Sequence, residues 1–168
     1  MEVINKRRSV RRFKDQEVES STVEQLLKAG MQAPSAGNQR PWEFVVVRDS
    51  KLKDAIGNMS PYSGMAATAP VLIIVCGSKE RMRMPEFMAQ DLGACTQNIL
   101  LEAVNQELGT VWIGVYPKEE RVQLISEILN LPESLVPYNV IVVGHPELED
   151  ANHFVDRYEA DRVHFDKC

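Results

Sequence analysis

Pro70-Val71-Leu72-Ile73-Ile74-Val75-Cys76 is the stretch on which the fold turns. A run this short, apolar throughout and rich in β-branched residues, predicts a strand rather than a helix. No polar residue alternates with the apolar ones, so both faces of that strand must be covered. Helices are therefore expected above and below the sheet that contains it.

The flanking segments supply those layers. Ser21-Thr22-Val23-Glu24 has capping-box spacing and opens a predicted helix through Leu26, Leu27 and Met31. Two prolines and a glycine make Ala33 to Pro41 a loop. Glu43 to Val47 reads as a strand and Lys51 to Asn58 as a short helix. Met59 to Ala69, with Pro61 and Gly64 and no clean period, is expected to be a loop or lid with a weak helical turn. Downstream, residues 85–107 carry the longest helical pattern. Met88, Leu92, Cys95 and Ile99 recur at helical spacing, and Leu100, Leu101, Ala103 and Val104 widen the apolar face. A helix this apolar needs more than one partner, a core and a subunit interface. Strands are expected at Thr110 to Val115 and Tyr138 to Val143, with a helix from Lys118 to Leu129 between them. The tail from Glu147 to Cys168 keeps Phe154, Val155, Tyr158, Val163 and Phe165, and should lie against the body or a second subunit. The expectation is one α+β domain over residues 1–168, a three-layer α/β/α arrangement. It has a mixed central sheet of about four strands and a long central helix.

Composition narrows the function. A net charge of -5 argues against a general nucleic-acid binder. No apolar run approaches the ~18–20 residues of a membrane span, and Met1 to Asn5 has no signal-peptide core, so the expected location is cytoplasmic. Cys76 and Cys95 read as small core residues and Cys168 as an exposed terminal thiol. His145, His153 and His164 have no metal-ligand spacing, and no metal site is expected. Gly-x-Gly-x-x-Gly and the P-loop pattern are both absent, which leaves a Rossmann-type nicotinamide site unsupported.

Against this acidic background the opening stretch is strongly basic, with Lys6, Arg7, Arg8, Arg11, Arg12 and Lys14 against Glu2 alone. Guanidinium groups bind phosphate oxygens bidentately, and Ser9 adds a hydroxyl. On a helix, Arg7 and Arg11 would share a face. The same residues equally suit a solvated helix end. Ser35 and Asn38, on the constrained loop Pro34-Ser35-Ala36-Gly37-Asn38, suit the edges of a polar ligand, or simply a helix cap and a turn. Tyr62 and Phe87 could reach a substrate, although aromatics are more often core.

Taken in order, these pieces resemble the nitroreductase family. Arg-Arg-Ser-Val-Arg at residues 7–11 is followed by Ala33-Pro34-Ser35-Ala36-Gly37-Asn38-Gln39-Arg40-Pro41-Trp42. Then come Asp91-Leu92-Gly93-Ala94-Cys95-Thr96-Gln97-Asn98, Val111-Trp112-Ile113-Gly114, and Gly144-His145-Pro146 with a later Arg157. The resemblance implies a homodimer with an FMN at each end of the subunit interface, a central dimer helix and a swapped C-terminal tail. It implies that Arg7, Arg8, Ser9 and Arg11 hold the phosphate, ribityl chain and pyrimidine edge, and that Arg157 adds a second cation. Pro34, Ser35, Ala36 and Asn38 would line the ring from the other subunit, and Ile113 and Gly114 would offer backbone near its reactive nitrogen. Gly114 suits that place, since a missing side chain lets backbone approach a flat ring. The implied activity passes electrons from NADH or NADPH to nitroaromatic, quinone or similar acceptors by ping-pong hydride transfer. The cofactor would carry the chemistry, with no side chain as acid or base. The alternative is a non-catalytic flavin-binding or redox-sensing protein of the same fold. The chain is short for the family, and specificity is expected around residues 59–69 and the loop at 34–38.

Overall fold

The computed structural model describes residues 1–167, so the expected exposed thiol of Cys168 lies outside the described residues. Four strands, β1 (Trp42–Val47), β2 (Val71–Ser78), β3 (Gly109–Gly114) and β4 (Leu135–Gly144), form one sheet in the order β1-β2-β4-β3. The apolar run is the inner strand β2, and all of its residues are buried. Its side chains alternate as pleating requires. Val71, Ile73 and Val75 join one core; Leu72, Ile74 and Cys76 join the other. Ile73 pairs with Ile141 of β4 at the centre of the sheet.

Every pairing among these strands is antiparallel, where a mixed sheet was expected. Among the described residues the single parallel element is an isolated bridge from Ser9 to Thr110 on the outer edge of β3. Two-sided burial is commonest in parallel sheets. Here it arises because helices cover both faces of an antiparallel one. On the first face lie α2 (Ser20–Met31) and α5 (Met88–Asn105), contributing Leu26, Leu92, Cys95 and Ile99. On the second lie α3 (Ser50–Gly57), α4 (Met65–Thr68) and α6 (Glu119–Leu129), contributing Ile56, Ala66 and Ile125. The two helical layers complete the α/β/α sandwich.

Two local expectations need correction. Helix α2 starts at Ser20 behind Glu19, and no side chain caps it, so the Ser21–Glu24 box is not formed. Residues 59–69 do carry the expected helical turn, α4, and it is well packed: the Ser63 hydroxyl donates to the Gly57 carbonyl at 2.9 Å, and Ala66 in α4 and Ala69 at its end are fully buried. The basic stretch, in contrast, is not helical. Helix α1 (Glu2–Lys6) ends before Arg7, whose φ/ψ of -54/124° is extended, so Arg7 and Arg11 do not share a helix face. The chain leaves the helix because Ser9 and Val10 are held by Thr110, to whose carbonyl the Val10 N–H donates at 2.8 Å. Val10 then packs over Gly109, where a side chain would meet it at 2.7 Å.

Cys76 and Cys95 are buried as expected, and burial pushes both thiols up to about 12. Thiolate is therefore scarce at pH 8. Both should ignore Ellman's reagent in the native protein and react after denaturation. Native labelling at either position, located by peptide mass spectrometry, would contradict their placement.

Candidate functional site

An extended strip along the edge of β3 gathers the candidate residues. At one end, a cavity of about 400 Å³ is lined by Arg7 and Arg8 from the N-terminal segment, Gln97 from α5, and Phe154, Arg157 and Tyr158 from the tail. The expected pairing of Arg157 with the opening arginines is thus present in the geometry. None of the three guanidiniums enters an ion pair among the described residues. Partial burial draws the Arg7 pKa below its usual value, and the positive charges of Arg8 and Arg157 lower it further. Asp156 lines the same cavity, but its carboxylate accepts from the Tyr158 N–H at 3.0 Å and pairs with none of the three, so the positive charges outnumber it and make a place for an anion.

The arginines differ in how free they are. Arg8 spends its guanidinium on its own chain, donating to the Asn5 carbonyl at 2.6 Å and to that of Arg7. Its Nε is buried and unpartnered. Asn152 ties the tail to this segment. Its Oδ1 accepts from the Arg8 N–H at 3.2 Å, and its Nδ2 donates to the Leu108 carbonyl at 3.0 Å. Nothing in the sequence reading singled out Asn152.

Further along, Ser9 and Arg11 line a second cavity, of about 320 Å³, with Asp150 and His153. Arg11 also lines a third, of about 370 Å³, with Ile113, Gly114, Trp112 and Tyr62. Arg11 therefore borders both the second cavity and the strand end at Gly114. A Cβ at Gly114 would meet nothing within 4 Å, so no group of this chain demands a glycine there. An external ligand lying on the backbone would explain it. Tyr62 is 78% exposed and Phe87 41%, so neither belongs to the core as their residue type suggested.

The loop Pro34 to Asn38 lines none of these cavities, so it is not brought together with the arginines within one chain. It is nonetheless built rigidly. Gly37, Asn38 and Arg40 all have positive φ, from 47 to 53°. Ser35 Oγ accepts from the Arg40 N–H at 2.9 Å, which leaves the Asn38 side chain exposed at the tip. Beneath it is a polar anchor the sequence reading passed over. The Asp91 carboxylate, 4% exposed, accepts from the Ala36 N–H at 2.9 Å and from Gln39 Nε2 at 2.7 Å. Gln39 Oε1 in turn accepts from the N–H groups of Arg83 and Met84, each at 3.0 Å. The signal was an acidic residue within the apolar pattern of α5, at a position that must face inward.

Among the described residues no group of three or more His, Cys, Asp and Glu could hold a metal, and no helix is long and apolar enough to cross a membrane. His145 Nε2 lies 3.1 Å from the Glu17 carbonyl, a contact that fastens the end of β4 to the loop before α2.

The fold agrees with the family comparison. The sequence model of the Nitroreductase family matches residues 4–60 and 58–145, and the chain belongs to that family. A protein of Methanothermobacter thermautotrophicus, provisionally named NADH dehydrogenase/NAD(P)H nitroreductase, is 40% identical over 99% of this chain and 86% of its own. The crystal structure of a provisionally named NADH oxidase from Clostridium acetobutylicum superposes with a TM-score of 0.95 at 45% identity, covering 99% of each chain. A provisionally named nitroreductase from Desulfovibrio desulfuricans, solved in complex with FMN, superposes with a TM-score of 0.83 at 30% identity, covering 99% of this chain and 95% of its own.

Proposed function

We propose that residues 1–168 form one nitroreductase-type domain, an FMN-dependent oxidoreductase that takes electrons from NADH or NADPH. The acceptor class is nitroaromatic, quinone or similar, and the two substrates use one site in turn. The observation that carries this reading is the convergence of Arg7, Arg8 and Arg157, none of them in an ion pair among the described residues, at one end of a strip. The strip ends at a strand tip open to a flat ligand at Gly114.

Those residues fit FMN. Arg7 and Arg157 would take the phosphate, and Ser9 the chain beside it. Arg11 would stand by the pyrimidine edge, where a cation stabilises negative charge that builds during reduction. Ile113 and Gly114 would present backbone to the ring. Bound FMN would supply the hydride chemistry. The protein's part is to hold, orient and screen, which is why no acid or base is assigned.

Pro34, Ser35, Ala36 and Asn38 are assigned to the flavin of a second subunit. The support is their distance from the arginines within one chain and the rigidity with which Asp91 presents them. Exposed Phe154, Tyr158 and Phe165 suit a tail that packs across that partner. Purified protein should carry, or take up, one FMN per chain, run as a dimer, and bleach anaerobically with NADH or NADPH. Protein that cannot be loaded with FMN would end this reading. Loaded protein that neither nucleotide reduces would favour a passive flavin binder.

A further inference from the structure

Gly114 lies on the floor of a cavity whose remaining walls have not been assigned a task. Tyr62 and Met65 form one side, Trp112 lies along the strand, and Arg11 and Arg121 supply the charge. No carboxylate lines it. Arg121 sits in the first turn of α6, where the helix dipole disfavours a cation. Glu119 and Glu120 occupy the same turn, yet neither pairs with it among the described residues. Instead its Nη1 donates to the Gly114 carbonyl at 2.8 Å, which fixes the guanidinium at the strand tip. That bond uses one of five N–H donors, and the others remain available.

From this placement we infer that the cavity recognises an anionic group on the flat molecule that reacts there, and that Arg121 reads the charge. The inference rests on the function proposed above and narrows its substrate class. The apolar and aromatic walls suit a planar ring, while two cations without an acid reject positively charged molecules and favour a carboxylate or phosphate. Arg11 is already assigned to the cofactor, which leaves Arg121 as the specificity residue. The anionic group has two sources: a carboxylate on an aromatic oxidant, or the diphosphate of the reduced nicotinamide dinucleotide.

The test compares FMN-loaded wild type with Arg121→Gln, which keeps a donor for the Gly114 carbonyl, and Arg121→Lys, which restores charge. Rapid-mixing measurements follow flavin reduction by NADH and by neutral N-benzyl-1,4-dihydronicotinamide. They then follow reoxidation by 4-nitrobenzoate and by neutral 4-nitrobenzyl alcohol. The glutamine variant should lower the anionic-to-neutral rate ratio about tenfold in at least one pair, with lysine recovering part of it. Loss in the first pair identifies the nucleotide as the source, and loss in the second the oxidant. Calorimetric titration with unreactive benzoate, before and after FMN loading, reads the same charge without turnover and should weaken in the glutamine variant. Unchanged ratios in both pairs, with unchanged benzoate binding, would overturn the inference while leaving the proposed function intact. If neither donor reduces the flavin, the proposed function fails, and benzoate binding still decides the role of Arg121.

Discussion

Asp91→Ala should destabilise the protein by about 3–5 kcal/mol, since hydrogen bonds to a charged group contribute about 1.5–3 kcal/mol each and the orphaned Gln39 N–H stays buried. The carboxylate holds the Ala36 N–H and Gln39 Nε2 in a site almost closed to water. Its loss strands the Ala36 N–H and one N–H of Gln39 Nε2, whose other still donates to the Met84 carbonyl at 3.1 Å. Gln39 cannot recover by turning its amide over, because its Oε1 already accepts from the N–H groups of Arg83 and Met84. A flipped amide would point two donors at two donors. The same reasoning separates Asp91→Asn, which keeps one acceptor for Ala36 but sets an amide nitrogen against Gln39. That variant should fall between wild type and alanine. Urea denaturation followed by far-UV circular dichroism checks the order. A loss below about 1 kcal/mol for alanine would show that water replaces the carboxylate and that the loop is not anchored there. Because three loop residues are in the left-handed region, the anchor also holds strained backbone in place.

Much of this architecture was legible because its signals are local and periodic. The uninterrupted run at 71–75 specified an inner strand, and the helical spacing of Met88, Leu92, Cys95 and Ile99 specified the long helix packed on it. What escaped the sequence depends on distant partners. Strand direction is set by connections, not composition, so two-sided burial said nothing of the antiparallel ladder. The basic stretch carries helix-compatible residues, yet pairing with Thr110 draws it out straight. Tertiary contact overrode local preference there. For residues 59–69 the weak helical turn was legible, but the burial of Ala66 and Ala69 was not, because so short a turn leaves no period from which to read its inner face. In the candidate site, the meeting of Arg7 with Arg157 was foreseen through family resemblance. Asn152 and Asp91 were not, because a buried polar residue reveals its task only when its partners are known.

Arg7→Ala is expected to weaken FMN binding roughly 10- to 150-fold, the equivalent of losing a charge-assisted phosphate contact of about 1.5–3 kcal/mol. The flavin-free protein should respond in the opposite sense. Arg7 is held against Arg8 and Arg157, and burial and repulsion both lower its pKa. Its guanidinium enters no ion pair among the described residues. Removing one of three like charges therefore leaves the empty fold as stable or slightly more so. Arg8→Ala should behave differently, because that guanidinium already holds the Asn5 and Arg7 carbonyls. Its loss frays the segment and reaches the cofactor only indirectly. Arg157→Ala should resemble Arg7→Ala, and the double variant should lose less than the sum, since both face one anion. Fluorescence titration of FMN, beside the melting temperature of flavin-free protein, separates the two effects. Equal FMN affinity in wild type and Arg7→Ala would remove the phosphate from this end of the strip. Parallel losses of affinity and flavin-free stability would make Arg7 a structural residue instead. A fall in affinity alone, diminished by salt as charge pairing requires, is the signature of a clamp held ready at a cost to its own fold.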